Sequence, residues 1–234
     1  MELPRKRWET AQGDAAAARR VADGLGLPFA LAAALGSRGC RTCSDAETFL
    51  HPRLSDLNDP FRLPDMERAV DRVFRALRDG ESIAVYGDYD ADGLTAAALT
   101  VSVLRAMGGR AEAFVPSRFT DGYGLTANAL RRCVERLRPS LVVTVDCGTE
   151  AAEPVRNAGA AGIDVVVTDH HEISDKPAEA AAVVNPELGS ETADRDLAGV
   201  GVAFKLCHGL VARARRVVTL VDGRVDRDET QDAA

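Results

Sequence analysis

Aromatic side chains and lysine are both scarce in this 234-residue chain: aromatics make up 5% of it, and lysine stands only at positions 6, 176 and 205. With a formal net charge of −7 the chain is not expected to coat nucleic acid through bulk electrostatics, because such binding relies on Lys and Arg neutralising phosphates. Any contact with nucleic acid has to be local. Long apolar runs are missing too; residues 141–145 and 165–167 are far shorter than the roughly 20 residues a bilayer span requires. No membrane span is expected, and the charged start of the chain lacks the pattern of a secretory signal, so the expected compartment is the cytoplasm. The five cysteines (Cys40, Cys43, Cys133, Cys147, Cys207) are odd in number and scattered, unlike a disulfide framework. Cys40 and Cys43 form a C-x-x-C, yet a structural zinc needs four ligands and no second Cys/His pair stands at finger spacing.

What the chain does have is apolar content, 46% of its residues, enough for one α/β core with a small appended region. Residues 1–80 read as a helical N-terminal region. Segments 14–24 and 28–35 are rich in Ala and Leu, Ser44 with Glu47 has the spacing of a capping box, and 64–78 carries one apolar stripe through Met66, Ala69, Val70, Val73, Phe74 and Leu77. From residue 81 to 216 the texture changes. Apolar runs at 83–86, 111–115, 141–145, 163–168 and 181–184 alternate with helical stretches at 92–107, 126–137 and 149–158. Runs without polar alternation suit strands covered on both faces, and the alternation predicts an α/β fold with a doubly wound, mainly parallel sheet. Residues 217–234 read as an atypical, flexible tail.

Ligands of open α/β sheets bind outside the carboxyl ends of the strands, and three such ends here carry ligand-type side chains. The first is Gly87-Asp88-Tyr89-Asp90-Ala91-Asp92-Gly93, the second Asp146-Cys147-Gly148-Thr149, the third Asp169-His170-His171-Glu172. Three aspartates within five residues repel one another unless protons or a cation neutralise them. Oxygen ligands with one or two imidazoles suit Mg²⁺ or Mn²⁺, the imidazoles favouring Mn²⁺. An EF-hand is excluded: its twelfth position must be Glu, and counting from Asp88 the twelfth residue is Leu99. Taken singly, Asp146 is more often a turn or cap residue than a ligand, and Asp169 could cap a helix in the same way; the co-location of ligand-type side chains at three strand ends of one sheet points to a joint site.

These three segments resemble the first three motifs of the DHH phosphoesterases. The stretch 115–125, with Arg118 and Tyr123, and the later Leu197-Ala198-Gly199-Val200-Gly201-Val202-Ala203-Phe204-Lys205 are similar to RecJ-like members of that superfamily, as is the start with Arg7-Trp8 and His51-Pro52. The resemblance covers about residues 1 to 215. It implies a divalent-metal-dependent phosphodiester hydrolase, a 5′–3′ exonuclease on single-stranded DNA, with Mn²⁺ or Mg²⁺ as cofactor and two ions in the complete enzyme. It further implies that Asp88, Asp90, Asp92, Asp146 and His170 are metal ligands or their immediate supports. His171 then contacts the scissile phosphate or supplies a proton, and Asp169 orients a neighbouring imidazole. Arg118 becomes a phosphate contact and Tyr123 a surface for base stacking.

The same resemblance implies a fourth motif, a strand ending in Gly-Thr-x-Ala-Asp, and a second domain that closes over the cleft; neither occurs within these 234 residues. Asp222 follows a short strand-like run but stands too early and in another context. Weak activity, or a non-catalytic metal-binding remnant, is therefore one expectation. A sibling activity on oligoribonucleotides, cyclic dinucleotides or pyrophosphate is another.

Overall fold

The computed structural model describes residues 13–189 and 194–214, together with the backbone of two strands at 216–221 and 224–230. It divides into two compact units, Met1–Leu57 and Asn58–Ala234. The boundary expected near residue 80 therefore moves to residue 57, because the helix at 66–79 buries its stripe of Met66, Ala69, Val70, Val73 and Ala76 in the core of the second unit.

In the first unit, α1 (Ala15–Leu25) is capped by the Asp14 carboxylate, which accepts the backbone N–H of Ala16 and Ala17, and ends at Gly26 in the left-handed region. It packs with α2 (Phe29–Ser37) and α3 (Cys43–Leu50) around Val21, Ala32, Leu35 and Ala46. The capping box of α3 is formed by Thr42 and Asp45, not Ser44 and Glu47: Asp45 N–H donates to Thr42 Oγ1, and Thr42 N–H donates to Asp45 Oδ2. Thr42 has the extended backbone a cap needs, whereas Ser44 already lies inside the helix. Cys43 Sγ lies against Gly24, where a Cβ would come within 2.6 Å, and its S–H points at the Arg20 carbonyl.

The second unit is built on α4 (Met66–Asp79), β1 (Ser82–Gly87), α5 (Ala91–Ala106), β2 (Arg110–Phe114), α6 (Ala127–Leu137), β3 (Leu141–Val145), α7 (Ala152–Ala160), β4 (Asp164–Thr168), β5 (Ala182–Val184) and α8 (Gly199–Arg213). Helix α4 starts two residues later than the segment 64–78 suggests, because Asp65 is in the left-handed region and its carboxylate accepts the N–H of Val183 in β5. The five strands form one parallel sheet in the order β2-β1-β3-β4-β5. Alternate strand residues feed two cores. Ile83, Val85, Leu141, Val143 and Val166 face α4, α5 and α8, while Ala84, Tyr86, Val142, Val165 and Val167 face α6 and α7. Beyond α8, where the sequence suggests a flexible tail, β6 (Arg216–Val221) pairs antiparallel with β7 (Arg224–Thr230). Asp222, Arg7 and Trp8 lie outside the described residues.

What positions the site is the register. Gly87 is level with Val145, Val145 with Thr168, and Thr168 with Val184. The next residue on each strand is Asp88, Asp146, Asp169 and Asn185, so four polar side chains leave the sheet in one row. The chain order reverses direction between β1 and β3, where open sheets form their binding crevice.

Candidate metal centre

Each of these strand ends is held in place by local contacts. The β1 end depends on two glycines. A Cβ at Gly93 would meet the Asp88 backbone at 2.5 Å, and one at Gly87 would meet the Gly93 carbonyl at 2.8 Å, so α5 can start directly over the turn only without side chains there. Asp90 is the N-cap of α5; its Oδ1 accepts N–H from Asp92 and Gly93. Asp88 is buried, and Tyr89 N–H donates to its Oδ1. Burial first, and the neighbouring Asp90 charge with it, pushes the Asp88 carboxyl above its ordinary range.

Asp146 sits at the end of β3 with φ 63, a conformation non-glycine residues seldom adopt. The residue is 2% exposed, and among the described residues Oδ1 has no hydrogen-bond partner; His170 Nε2 stands 3.2 Å away without making one. Burial, aided by the charges of Asp92 and Asp90, lifts its pKa to about 7. Ligand-type atoms of Asp88, Asp90 and Asp146 all lie within 4.8 Å of one another, and so do those of Asp146, His170 and His171. Asp146 belongs to both groups. Two carboxyls made reluctant to ionise, one with an orphaned buried oxygen, fit a divalent cation that would repay the desolvation and hold both deprotonated.

Asp169 behaves differently. It too is buried, but Oδ2 accepts the N–H of Thr149, and Oδ1 accepts the N–H groups of His170 and His171 and lies 2.8 Å from His171 Nδ1. Burial pushes its pKa up, yet these donors prevail and hold the carboxyl below its ordinary range. His171 shows the reciprocal effect: burial disfavours its charge, but the bond to Asp169 raises its pKa overall. With Nδ1 on Asp169, Nε2 faces outward, where the Tyr123 hydroxyl meets it at 3.0 Å. Asn185, absent from the sequence reading, completes this arm: fully buried, it donates from Nδ2 to Thr149 Oγ1 and to the His171 carbonyl. Its signal was its position one residue past a strand, matching Asp169.

Asp92 is drawn elsewhere. Its Oδ2 accepts the N–H of Gly199 and its Oδ1 that of Val200, both at the start of α8, and it stands 3.7 Å from His170 Nε2. Arg118 is exposed on the loop after β2, its guanidinium 5.5 Å from the centre of the Tyr89 ring. Tyr89 in turn meets Tyr123 edge-on, so Arg118, Tyr89 and Tyr123 form one aromatic and cationic rim beside His171.

A model of the DHH family, N-terminal domain, matches residues 82–224. The chain is 37% identical over 212 residues to the single-stranded-DNA-specific exonuclease RecJ of Bacillus subtilis, covering 90% of this chain and 27% of that protein. It is 39% identical to RecJ of Escherichia coli, covering 79% of this chain and 31% of that one. Among solved structures, RecJ of Thermus thermophilus in complex with Mn²⁺ superposes with a TM-score of 0.66 at 33% identity, covering 85% of this chain and 27% of that one. An exonuclease RecJ bound to manganese gives 0.60 at 37% identity over 64% of this chain and 38% of that one. The chain thus spans about a third or less of the length of the curated relatives it matches. With a matched segment that runs from the first residue of β1 through all of α8, and with the aspartates and histidines of the site inside it, the chain belongs to the DHH family.

Proposed function

We propose that this chain forms the metal-binding half of a divalent-metal-dependent phosphodiesterase, a 5′–3′ exonuclease on single-stranded DNA. The observation that carries the reading is Asp146 Oδ1, buried, without a hydrogen-bond partner among the described residues, and close to two further carboxylates and an imidazole. Asp88, Asp90, Asp146 and His170 would hold Mn²⁺ or Mg²⁺, two ions in the complete enzyme, with Asp146 common to both ligand groups. What such ions supply when bound is Lewis acidity: polarisation of a phosphoryl oxygen and a lowered pKa for water. The protein groups do the rest. Asp169 fixes the His171 ring through Nδ1, so that Nε2 points out of the site as phosphate contact or proton donor, a role suited to a pKa raised from 6.5. Asn185 and Thr149 hold that pair from behind. Arg118 offers forked donors to a phosphate, and Tyr123 and Tyr89 offer faces for bases.

Single-stranded DNA is the substrate named for the relatives above, and a rim of local cationic and aromatic groups suits it better than a duplex on a chain of net charge −7. The five cysteines are free, as thiols of a reducing compartment are, and the proposed place of action is the cytoplasm; no helix among the described residues is long and apolar enough to cross a membrane.

The test pairs calorimetric titration of Mn²⁺ with digestion of end-labelled single-stranded DNA, a diribonucleotide and pyrophosphate. Mn²⁺ binding with shortening of DNA from its 5′ end is the expected result. Cleavage of only the diribonucleotide or pyrophosphate would move the assignment to a sibling activity, and binding without hydrolysis would make the chain a remnant. Absence of Mn²⁺ binding would overturn the reading.

A further inference from the structure

The outward-facing nitrogen of His171 is already taken. Its Nδ1 is bound to Asp169, and its Nε2 meets the Tyr123 hydroxyl at 3.0 Å. With an ionised Asp169 accepting at Nδ1, that nitrogen carries the proton, so Nε2 of the neutral ring is an acceptor and the phenol donates to it. A phenol in that place keeps every other group from the same lone pair.

The packing of Tyr123 does little to hold it there. The residue is 64% exposed, its ring meets Tyr89 and His171 edge-on, and it stands between Gly122 at φ 83 and Gly124 at φ 72. A Cβ at either glycine would meet nothing closer than 3.7 Å, so the left-handed backbone, not lack of space, calls for glycine, and such residues turn easily. The chain on either side is fixed. Asp121 is buried, accepts the N–H of Ser117 and pairs with Arg132, while the Tyr86 hydroxyl donates to the Gly124 carbonyl and Leu125 is buried. What is left to move is Tyr123 itself, and turning its side chain is enough to break the contact.

We infer that Tyr123 is a latch on His171: in the free protein its hydroxyl covers Nε2, and a phosphate reaches that nitrogen only after the hydroxyl has swung away. This rests on the reading of His171 as the phosphate contact. A bond from the protonated ring to a phosphate is charge-assisted and stronger than one between a phenol and a neutral ring, so a phosphate displaces the hydroxyl. The displacement has a cost, because a ligand that needs the open form binds more weakly in proportion to how seldom that form is present. One neutral hydrogen bond reduces the open form roughly three- to tenfold. Tyr123 thereby sets the apparent affinity of the site for phosphate-bearing ligands.

Tyr123→Phe keeps the ring and removes the hydroxyl, and two unrelated measurements should then move by the same factor. In metal-free protein at one fixed, mildly alkaline pH, diethyl pyrocarbonate, which attacks an uncovered imidazole nitrogen, should modify His171 roughly three- to tenfold faster in the variant. The rate is read by peptide mass spectrometry, with the exposed His51 as internal standard. In protein saturated with Mn²⁺, calorimetry should show deoxyadenosine 5′-monophosphate bound more tightly by that same factor, and in a His171→Ala background the gain should vanish. A modification rate unchanged by Tyr123→Phe, an affinity unchanged or weakened, or a gain in affinity that persists without His171 would each overturn the proposal. Failure of the parent to bind Mn²⁺ would overturn the functional reading instead, and the modification rates, taken without metal, would still decide whether the hydroxyl covers Nε2.

Discussion

Removing the charge of Asp146 should make the metal-free protein more stable, and the gain should depend on pH. The carboxyl is lifted from 3.8 to about 7 in the folded protein, so between about pH 4 and pH 7 the folded state keeps a proton that the unfolded chain has released. Stability contributed by this group is therefore present at low pH and is lost as pH rises through the folded pKa. Asp146→Asn abolishes the titration. Its advantage over the parent should be small near pH 4 and grow to about 2–4 kcal/mol by pH 8, the lower figure allowing for screening by water at the mouth of the cleft. For a chain of this size that is roughly 4–16 °C in thermal midpoint. A pH-independent increment is expected besides, because Asn tolerates the left-handed backbone of residue 146 better than most residues. The assay is thermal unfolding of both proteins in chelator across pH 4 to 8, comparing differences so that other titrating groups cancel. Mn²⁺ should reverse the order, since only the parent gains from binding. An offset that does not change with pH, or a variant less stable than the parent at pH 8, would refute the argument from burial.

Asp169→Asn should act in the opposite direction, losing about 2–4 kcal/mol in denaturant titration, because an amide nitrogen must face either Thr149 N–H or the histidine donors; a loss below about 1 kcal/mol would count against the network. Saturating Mn²⁺ should raise the midpoint of the parent, and Asp90→Ala should remove most of that gain; equal gains in both would exclude Asp90 as a ligand. Digestion of end-labelled single-stranded DNA by limiting protein in the presence of trap DNA should show slow, distributive trimming, since a chain of net charge −7 with 5% aromatics offers little to hold the strand between cuts. Complete digestion of bound strands before any release would contradict this.

Much of the sheet and three of the four polar strand ends were legible from sequence because the evidence for them is local. The runs before Asp88, Asp146 and Asp169 are apolar on both faces, and a carboxylate following such a run marks a strand end. Strand order and register were not legible, as they depend on which remote segments share a core. Asn185 reads as an ordinary turn residue before Pro186 until β5 is seen level with β4. The fate of Asp92 was hidden for the same reason. Spacing groups it with Asp88 and Asp90, but its partners are 107 and 108 residues away. Capping at Thr42 was misread by two residues because Ser44 and Glu47 satisfy the same pattern and only backbone conformation separates them.

The alignment of Gly87, Val145, Thr168 and Val184 also bears on how the site comes apart. Asp146 N–H bonds to the Thr168 carbonyl and Asp169 N–H to the Val184 carbonyl, so the rungs that carry the site continue the ladder of the central strands. Sites carried on loops can open by local fluctuation while the rest of the domain stays folded. Here the amides of Asp146 and Asp169 should exchange their hydrogens as slowly as those of β3 and β4, on the scale of global unfolding. The row of side chains then persists or disappears as one unit with the sheet, and agents that soften the exposed loop around Tyr123 alter access to the site while leaving its arrangement intact.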